Sequence, residues 1–209
     1  MTPSLFVQLF TILGIYEENA VLLVYAVLTG KFQELYTLVL ERLKEYCGRY
    51  NIDLPDPVTV ISDFELAIIN SCKEVIRNAR FLVCYFHLGQ SMNRKIQEEG
   101  LQVAYRDPED REIKTAVHMM LALAFLPVQD VIRAFEELRR ESPQELLLIL
   151  DYFESTYLRA RRARTRRPRA AGLPLYPIPR WNQHEAALTG GSRTNNLYMK
   201  GGTIGSTCW

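Results

Sequence analysis

The stretch VTVISDFELAIINSCKEVIRNARFLVCYFHLGQ, Val58 to Gln90, decides how this chain reads. Val58–Ile61 has the β-branched composition of a short buried strand, and the strand ends at Ser62-Asp63. Ser62 with Glu65 three places on has the spacing of a capping box, which predicts a helix opening there and running through Ile76. Arg80–Tyr85 predicts a second strand. His87–Glu99 predicts a second helix, closed by Gly100 at the position after its cap.

Upstream, SLFVQLFTILGIYEENAVLLVYAVLTG (Ser4–Gly30) holds two apolar runs around a polar turn near Tyr16–Asn19, the pattern of a hairpin. The near-continuous apolarity predicts strands covered on both faces. From Lys31 to Tyr50 the period changes. Phe32, Tyr36, Val39, Leu40, Leu43 and Cys47 recur at helical spacing, and the loop NIDLPDP (51–57) follows, its two prolines stopping the helix. Downstream of Pro108 the pattern is all-helical: about 109–125, broken by Pro127, then about 128–140, then about 143–157. An arginine-rich segment, a proline-punctuated linker (174–180) and a Gly/Ser/Thr/Asn-rich tail (190–209), expected to be frayed, complete the chain. The order β-β-α-β-α-β-α followed by helices predicts an α/β fold, a mixed β-sheet flanked by helices with an all-helical C-terminal insertion and an irregular tail. The expected division is 1–107 for the α/β core, 108–158 for the helical insertion and 159–209 for the Arg-rich linker and tail.

Bulk properties narrow the function classes. At 209 residues, 48% hydrophobic and 23% charged, the chain has ordinary globular composition. A formal net charge of +1 is not that of a strongly basic nucleic-acid binder. Charge is nevertheless uneven, with seven arginines between Arg159 and Arg169. The four cysteines show no paired spacing and three sit in apolar patterns, which predicts reduced core thiols and an intracellular protein. There is no secretory-signal pattern, and the apolar runs fall well short of the roughly 20 residues of a membrane span. No glycine-rich phosphate loop follows any predicted strand, which disfavours a nucleotide-binding enzyme.

Three groups of residues are candidates for chemistry. Asp63 stands at the tip of a buried strand, where a carboxylate can join others in holding two divalent cations roughly 3.5–4 Å apart for phosphodiester chemistry. The plainer alternative is that Asp63 or Ser62 caps the following helix. Cys84 and His87 have the C-x-x-H spacing of two zinc ligands, or of a thiol–imidazole pair, against the alternative of a buried cysteine and a helix-start histidine. The arginine run is readable as a grip on DNA phosphates or as a solvated loop without aromatic residues for base stacking.

SDFELAIINSCKEV followed by CYFHLGQSMNRKIQEEGL resembles the transposase domain of Mutator-like elements (MULE), of the ribonuclease-H-like superfamily. LFVQLFTILG and VLLVYAVLTGKFQELYTLVLERLKE resemble its hairpin and first helix. LALAFLPVQDVIRAFEEL resembles its helical insertion, DYFESTYLR the next helix, and Trp181-Asn182 with RTNN (193–196) its closing signature, so that the resemblance spans roughly residues 4–196.

The resemblance implies a ribonuclease-H-like fold, DNA as partner, an acidic triad holding Mg²⁺ or Mn²⁺, cleavage of element ends and strand transfer. It also implies a nuclear location and a possible homo-oligomer, with no membrane. Asp63 matches the second aspartate and is the implied catalytic and metal-binding residue. Cys84 and His87 match the C-x-x-H that shapes the site. Arg161, Arg162, Arg166, Arg167 and Arg193 are the candidate DNA contacts. The first aspartate belongs to a strand upstream of Leu5–Gly14, which is expected to be missing, and Met199 stands where the glutamate is expected. The expectation is therefore a transposase domain that is incomplete or inactive, the alternative being a catalytically dead DNA- or protein-binding module of the same descent. With no strand beside Leu5–Gly14, an open apolar edge and self-association are expected.

Overall fold

The structure, a computed structural model, describes residues 6–16, 19–52, 59–109, 111–159 and 173–191. These form two compact units, one up to Phe81 and one from Leu82 onward. Mixed α/β architecture is as expected, but the sheet is smaller. Two separate two-stranded ladders stand in place of one mixed sheet among the described residues.

In the first unit, β1 (Gln8–Tyr16) and β2 (Asn19–Leu28) form the expected antiparallel hairpin. The register pairs Leu9 with Val27 and Ile12 with Val24, then shifts so that Leu13 faces Leu22. Leu23 is the extra residue of this bulge, and a Cβ on Gly14 would stand 2.9 Å from its Cδ1, so the bulge leucine lies over the glycine. Burial alternates over residues 8–12 of β1 and 21–28 of β2. Phe10, Ile12, Ala26 and Leu28 pack on a core of Tyr36, Leu40, Ile68 and Cys72. Leu9, Val21, Leu23, Tyr25 and Val27 are exposed, Tyr25 by 67%. The expectation of strands covered on both faces is thus corrected. Both faces are apolar, but among the described residues only one is packed against the core of the unit.

Helix α1 (Gln33–Arg49) buries Tyr36, Leu40 and Cys47, a stripe at i, i+4 and i+11 that follows the helical period. Asn51, not a proline, closes it. Asn51 takes φ 52°, the Ile52 N–H reaches back to Cys47 O at 2.9 Å and the Asn51 N–H to Gly48 O at 3.4 Å, the two hydrogen bonds of a Schellman turn. The prolines of the following loop lie outside the described residues. Strand β3 (Thr59–Ser62) leads into α2 (Leu66–Val75), whose buried Ser71 shares its hydroxyl proton between Ala67 O (2.8 Å) and Gln33 O (2.9 Å), fastening α2 to the start of α1. β3 pairs with β4 (Arg80–Val83), which begins in the first unit.

The second unit is helical, as the pattern predicts. Helix α3 (Tyr85–Glu98) buries Leu88, Met92 and Ile96 at four-residue spacing. It ends at Gly100 with φ 73°, with Gly100 N–H on Gln97 O and Leu101 N–H on Ile96 O, the complete Schellman pair. A short helix α4 (Gln102–Arg106) precedes α5 (Glu112–Ala122), which tightens into a 3₁₀ turn at Leu123–Phe125. Leu126 is extended, as a residue before proline must be. Helix α6 (Val131–Glu141) follows. The predicted helix over 143–157 is a composite: a 3₁₀ turn at Gln144–Leu146, helix α7 (Leu147–Phe153), and a π turn at Glu154–Leu158. Short helices α8 (Ile178–Trp181) and α9 (His184–Leu188) close the described chain. The largely aliphatic core of this unit holds an aromatic cluster, with Phe153 against Phe135, Tyr157 and Trp181. No helix of the described residues is long and apolar enough to cross a membrane.

Candidate functional site

Asp63 is the first residue after β3 and is half-buried. The capping box predicted here does not form. The N-cap of α2 is Glu65, not Ser62, and it makes no side-chain cap bond. Ser62 Oγ instead donates to the carbonyl of Asp63 at 3.2 Å. Residues 63–65 are therefore a non-helical link between strand and helix, so neither Ser62 nor Asp63 occupies the cap position.

What holds Glu65 is a residue of another helix. Tyr36, fully buried on α1, brings its Oη within 2.7 Å of Glu65 Oε1 and within 2.7 Å of the side-chain amide of Gln8 on β1. A hydroxyl has one proton to give. Glu65 and Gln8 Oε1 are therefore alternative acceptors for it, the carboxylate the stronger of the two. Burial pushes the Tyr36 hydroxyl well above its ordinary value. The bond to Glu65 and that carboxylate's charge push the same way, Gln8 opposes, and the charge of Asp63 adds a further upward push. Tyr36 is thus a fixed neutral donor, electrostatically in touch with both carboxylates of the link.

Cys84 and His87 fall in the second unit. Cys84 is wholly buried at the N-cap of α3, its carbonyl accepting the N–H groups of His87 (3.1 Å) and Leu88 (3.2 Å). A thiol with no solvent access is a poor nucleophile, so a Cys84–His87 attacking pair is disfavoured. His87 sits one turn on, half-buried, its ring edge-to-face with Phe86 at 5.5 Å. Arg161, Arg162, Arg166, Arg167 and Arg193, with the RTNN segment and Met199, lie outside the described residues. Arg159, which opens the run, is described. It is paired with Glu154 and with Glu136 (3.1 Å) rather than presented to a phosphate.

Among the described residues no three His, Cys, Asp or Glu side chains converge as a cation site. By themselves those residues do not fit a two-metal centre.

Sequence reasoning missed the Gln8–Tyr36–Glu65 relay. It also missed the clasp built by Trp181 to His184. Trp181 Nε1 donates to the carbonyls of Tyr157 and Tyr176, each at 3.1 Å. Asn182 Nδ2, Gln183 N–H and His184 Nδ1 donate to three successive carbonyls, Leu126 (2.8 Å), Ala124 (2.7 Å) and Phe125 (2.9 Å). Carbonyl oxygens at a helix end lack intrahelical partners, and this segment supplies them. A carbonyl can only accept, so His184 carries its proton on Nδ1. The Trp-Asn pair noticed in the sequence was the available signal, though not for this role.

Residues 1–91 match the family model described as the MULE transposase domain. The matched span is less than half of the 209 residues, shorter than the resemblance read from the sequence, and includes Asp63, Cys84 and His87. No curated protein and no solved structure matches the chain.

Proposed function

We propose that residues 1–91 are the core of a ribonuclease-H-like DNA transposase domain, that Asp63 is one carboxylate of its Mg²⁺ or Mn²⁺ site, and that this chain alone does not cleave DNA. The observation that carries the reading is the position of Asp63 within the MULE match: the end of a strand, outside the following helix, on a link fixed by a buried tyrosine. Bound cations in such a site activate the attacking oxygen and stabilise the leaving one. Among the described residues no acidic cluster converges to hold two cations, and a cooperative catalytic unit without all its members loses most of its rate. Cys84 and His87 shape the end of β4 in this reading, and a DNA substrate implies a nuclear location and the arginine run as a phosphate contact.

The absence of a converging acidic cluster among the described residues favours, as second reading, a module that binds DNA or protein without chemistry. The test is incubation of the purified chain with supercoiled and linear duplex DNA in Mg²⁺ or Mn²⁺. The expected outcome is salt-sensitive binding without nicking, the binding weakened when Arg161, Arg162, Arg166 and Arg167 are neutralised. Metal-dependent nicking lost in Asp63→Asn would show a competent nuclease. Absence of any duplex binding would remove DNA as the partner.

A further inference from the structure

We infer that Tyr36 and Glu65 form a positioning pair that sets the course of the Asp63–Glu65 link, so that of the two neighbouring carboxylates Asp63 is the functional one and Glu65 is its support. The functional half of this inference rests on the reading of Asp63 given above. The positioning half stands on geometry alone.

The geometry is specific. The first helical bond of α2 runs from Ile69 N–H to Glu65 O at 3.1 Å, so the residue that ends the link is also the first acceptor of the helix. Ser62 Oγ bonds within the link and not across it. Glu65 is tied across the unit, to a hydroxyl 29 residues earlier that is itself buried in the core with Leu28, Leu40, Ile68 and Cys72. Phe10 stands edge-on to the Tyr36 ring at 5.0 Å, so the hydroxyl has little freedom to move. Gln8 Oε1 on β1 is the alternative acceptor at the same oxygen, at 2.7 Å. Hairpin, α1 and link are thereby joined through one atom. A carboxylate committed to a buried hydroxyl has lost a lone-pair site and its freedom to turn. That suits an anchor more than a cation ligand. Asp63, two residues earlier, takes its direction from where that anchor fixes the chain.

The experiment is residue-resolved hydrogen exchange on the full chain, without metal or DNA, comparing the native protein with Tyr36→Phe, Glu65→Leu and Glu65→Gln. Tyr36→Phe and Glu65→Leu should speed exchange of the Ile69 amide, whose acceptor is the Glu65 carbonyl, about tenfold, the scale of a lost hydrogen bond to a charged group. Amides in the middle of α1 should change by less than about twofold. Glu65→Gln should restore slow exchange, because its amide oxygen accepts the same hydroxyl proton. A general acceleration across the first unit, no acceleration at Ile69, or equal effects of Gln and Leu at position 65 would each overturn the positioning pair. If Tyr36→Phe fails to fold, the Gln-against-Leu comparison at Glu65 decides alone. None of these outcomes depends on whether the chain acts on DNA, so this inference and the proposed function fail separately.

Discussion

Gln183 Nε2 donates to the carbonyl of Val83, 100 residues earlier in the chain, at 3.1 Å. Both residues are buried, and Val83 is the last residue of β4, just before Cys84. The other end of the same amide is not satisfied. Gln183 Oε1 is buried with no hydrogen-bond partner among the described residues. One good bond therefore coexists with one uncompensated acceptor, and the two substitutions that test this differ in the size of the expected cost. Gln183→Leu removes both and should destabilise by only about 1 kcal/mol. Gln183→Glu turns the donor into an acceptor facing the Val83 carbonyl and adds a buried charge. It should cost about 3 kcal/mol or more. Urea unfolding of the two variants measures the order, and a Glu variant as stable as the Leu variant would contradict the assignment of the amide.

The thiol of Cys72 gives a pH dependence with a definite sign. Burial raises it from 9.0 to about 11. Below pH 9 the thiol is protonated in both folded and unfolded chains, and the contribution is fully present. From pH 9 toward 11 the unfolded thiol ionises and the folded one does not, so the unfolded chain binds fewer protons and stability falls as pH rises. The slope from this group is at most about 1.4 kcal/mol per pH unit. Between pH 9 and 10, before tyrosines dominate, Cys72→Ala should lose this slope even though its cavity lowers stability overall. Denaturant titrations at pH 8, 9 and 10 check it.

The outward face of the hairpin predicts a solubility effect. Leu23 and Tyr25 are 58% and 67% exposed and neighbour Leu9, Val21 and Val27, with no charged residue in either strand. Contiguous apolar surface of this kind favours association. Leu23→Lys with Tyr25→Lys should lower the concentration-dependent scattering of the chain while leaving its melting temperature within a few degrees, since neither side chain is in the core. Phe10→Lys, on the inward face, should prevent folding. Equal scattering from the native protein and the double variant would remove the face as a cause of association.

Much of the architecture was legible because it is local. Gly100 ends α3 where its place after an apolar period says it should, and the hairpin follows from two apolar runs around a polar turn. The failures share a cause. Ser62 and Glu65 have capping-box spacing, but Glu65 is claimed by Tyr36, which no local window contains. Gln183 is one polar residue in an unremarkable stretch, and its partners come from 59 and 100 residues away. The two faces of the hairpin are equally apolar, so alternation gave no sign of which one would be covered. Asp63 was legible as a strand-end carboxylate, but the relay that supports its link was not.

The π turn at Glu154–Leu158 makes chain length itself a carrier of information. Its wide bond runs from Arg159 N–H to Glu154 O at 2.9 Å. In an α-helix, residues five apart stand about 140° around the axis from one another and their side chains diverge. Here the wider turn brings Arg159 back over Glu154, and through Glu154 to Arg139, which also holds Asp151. Shortening this segment by a single residue would leave a perfectly good helix and scatter the ion cluster. A substitution scan would pass over that vulnerability, whereas a deletion scan would find it at once.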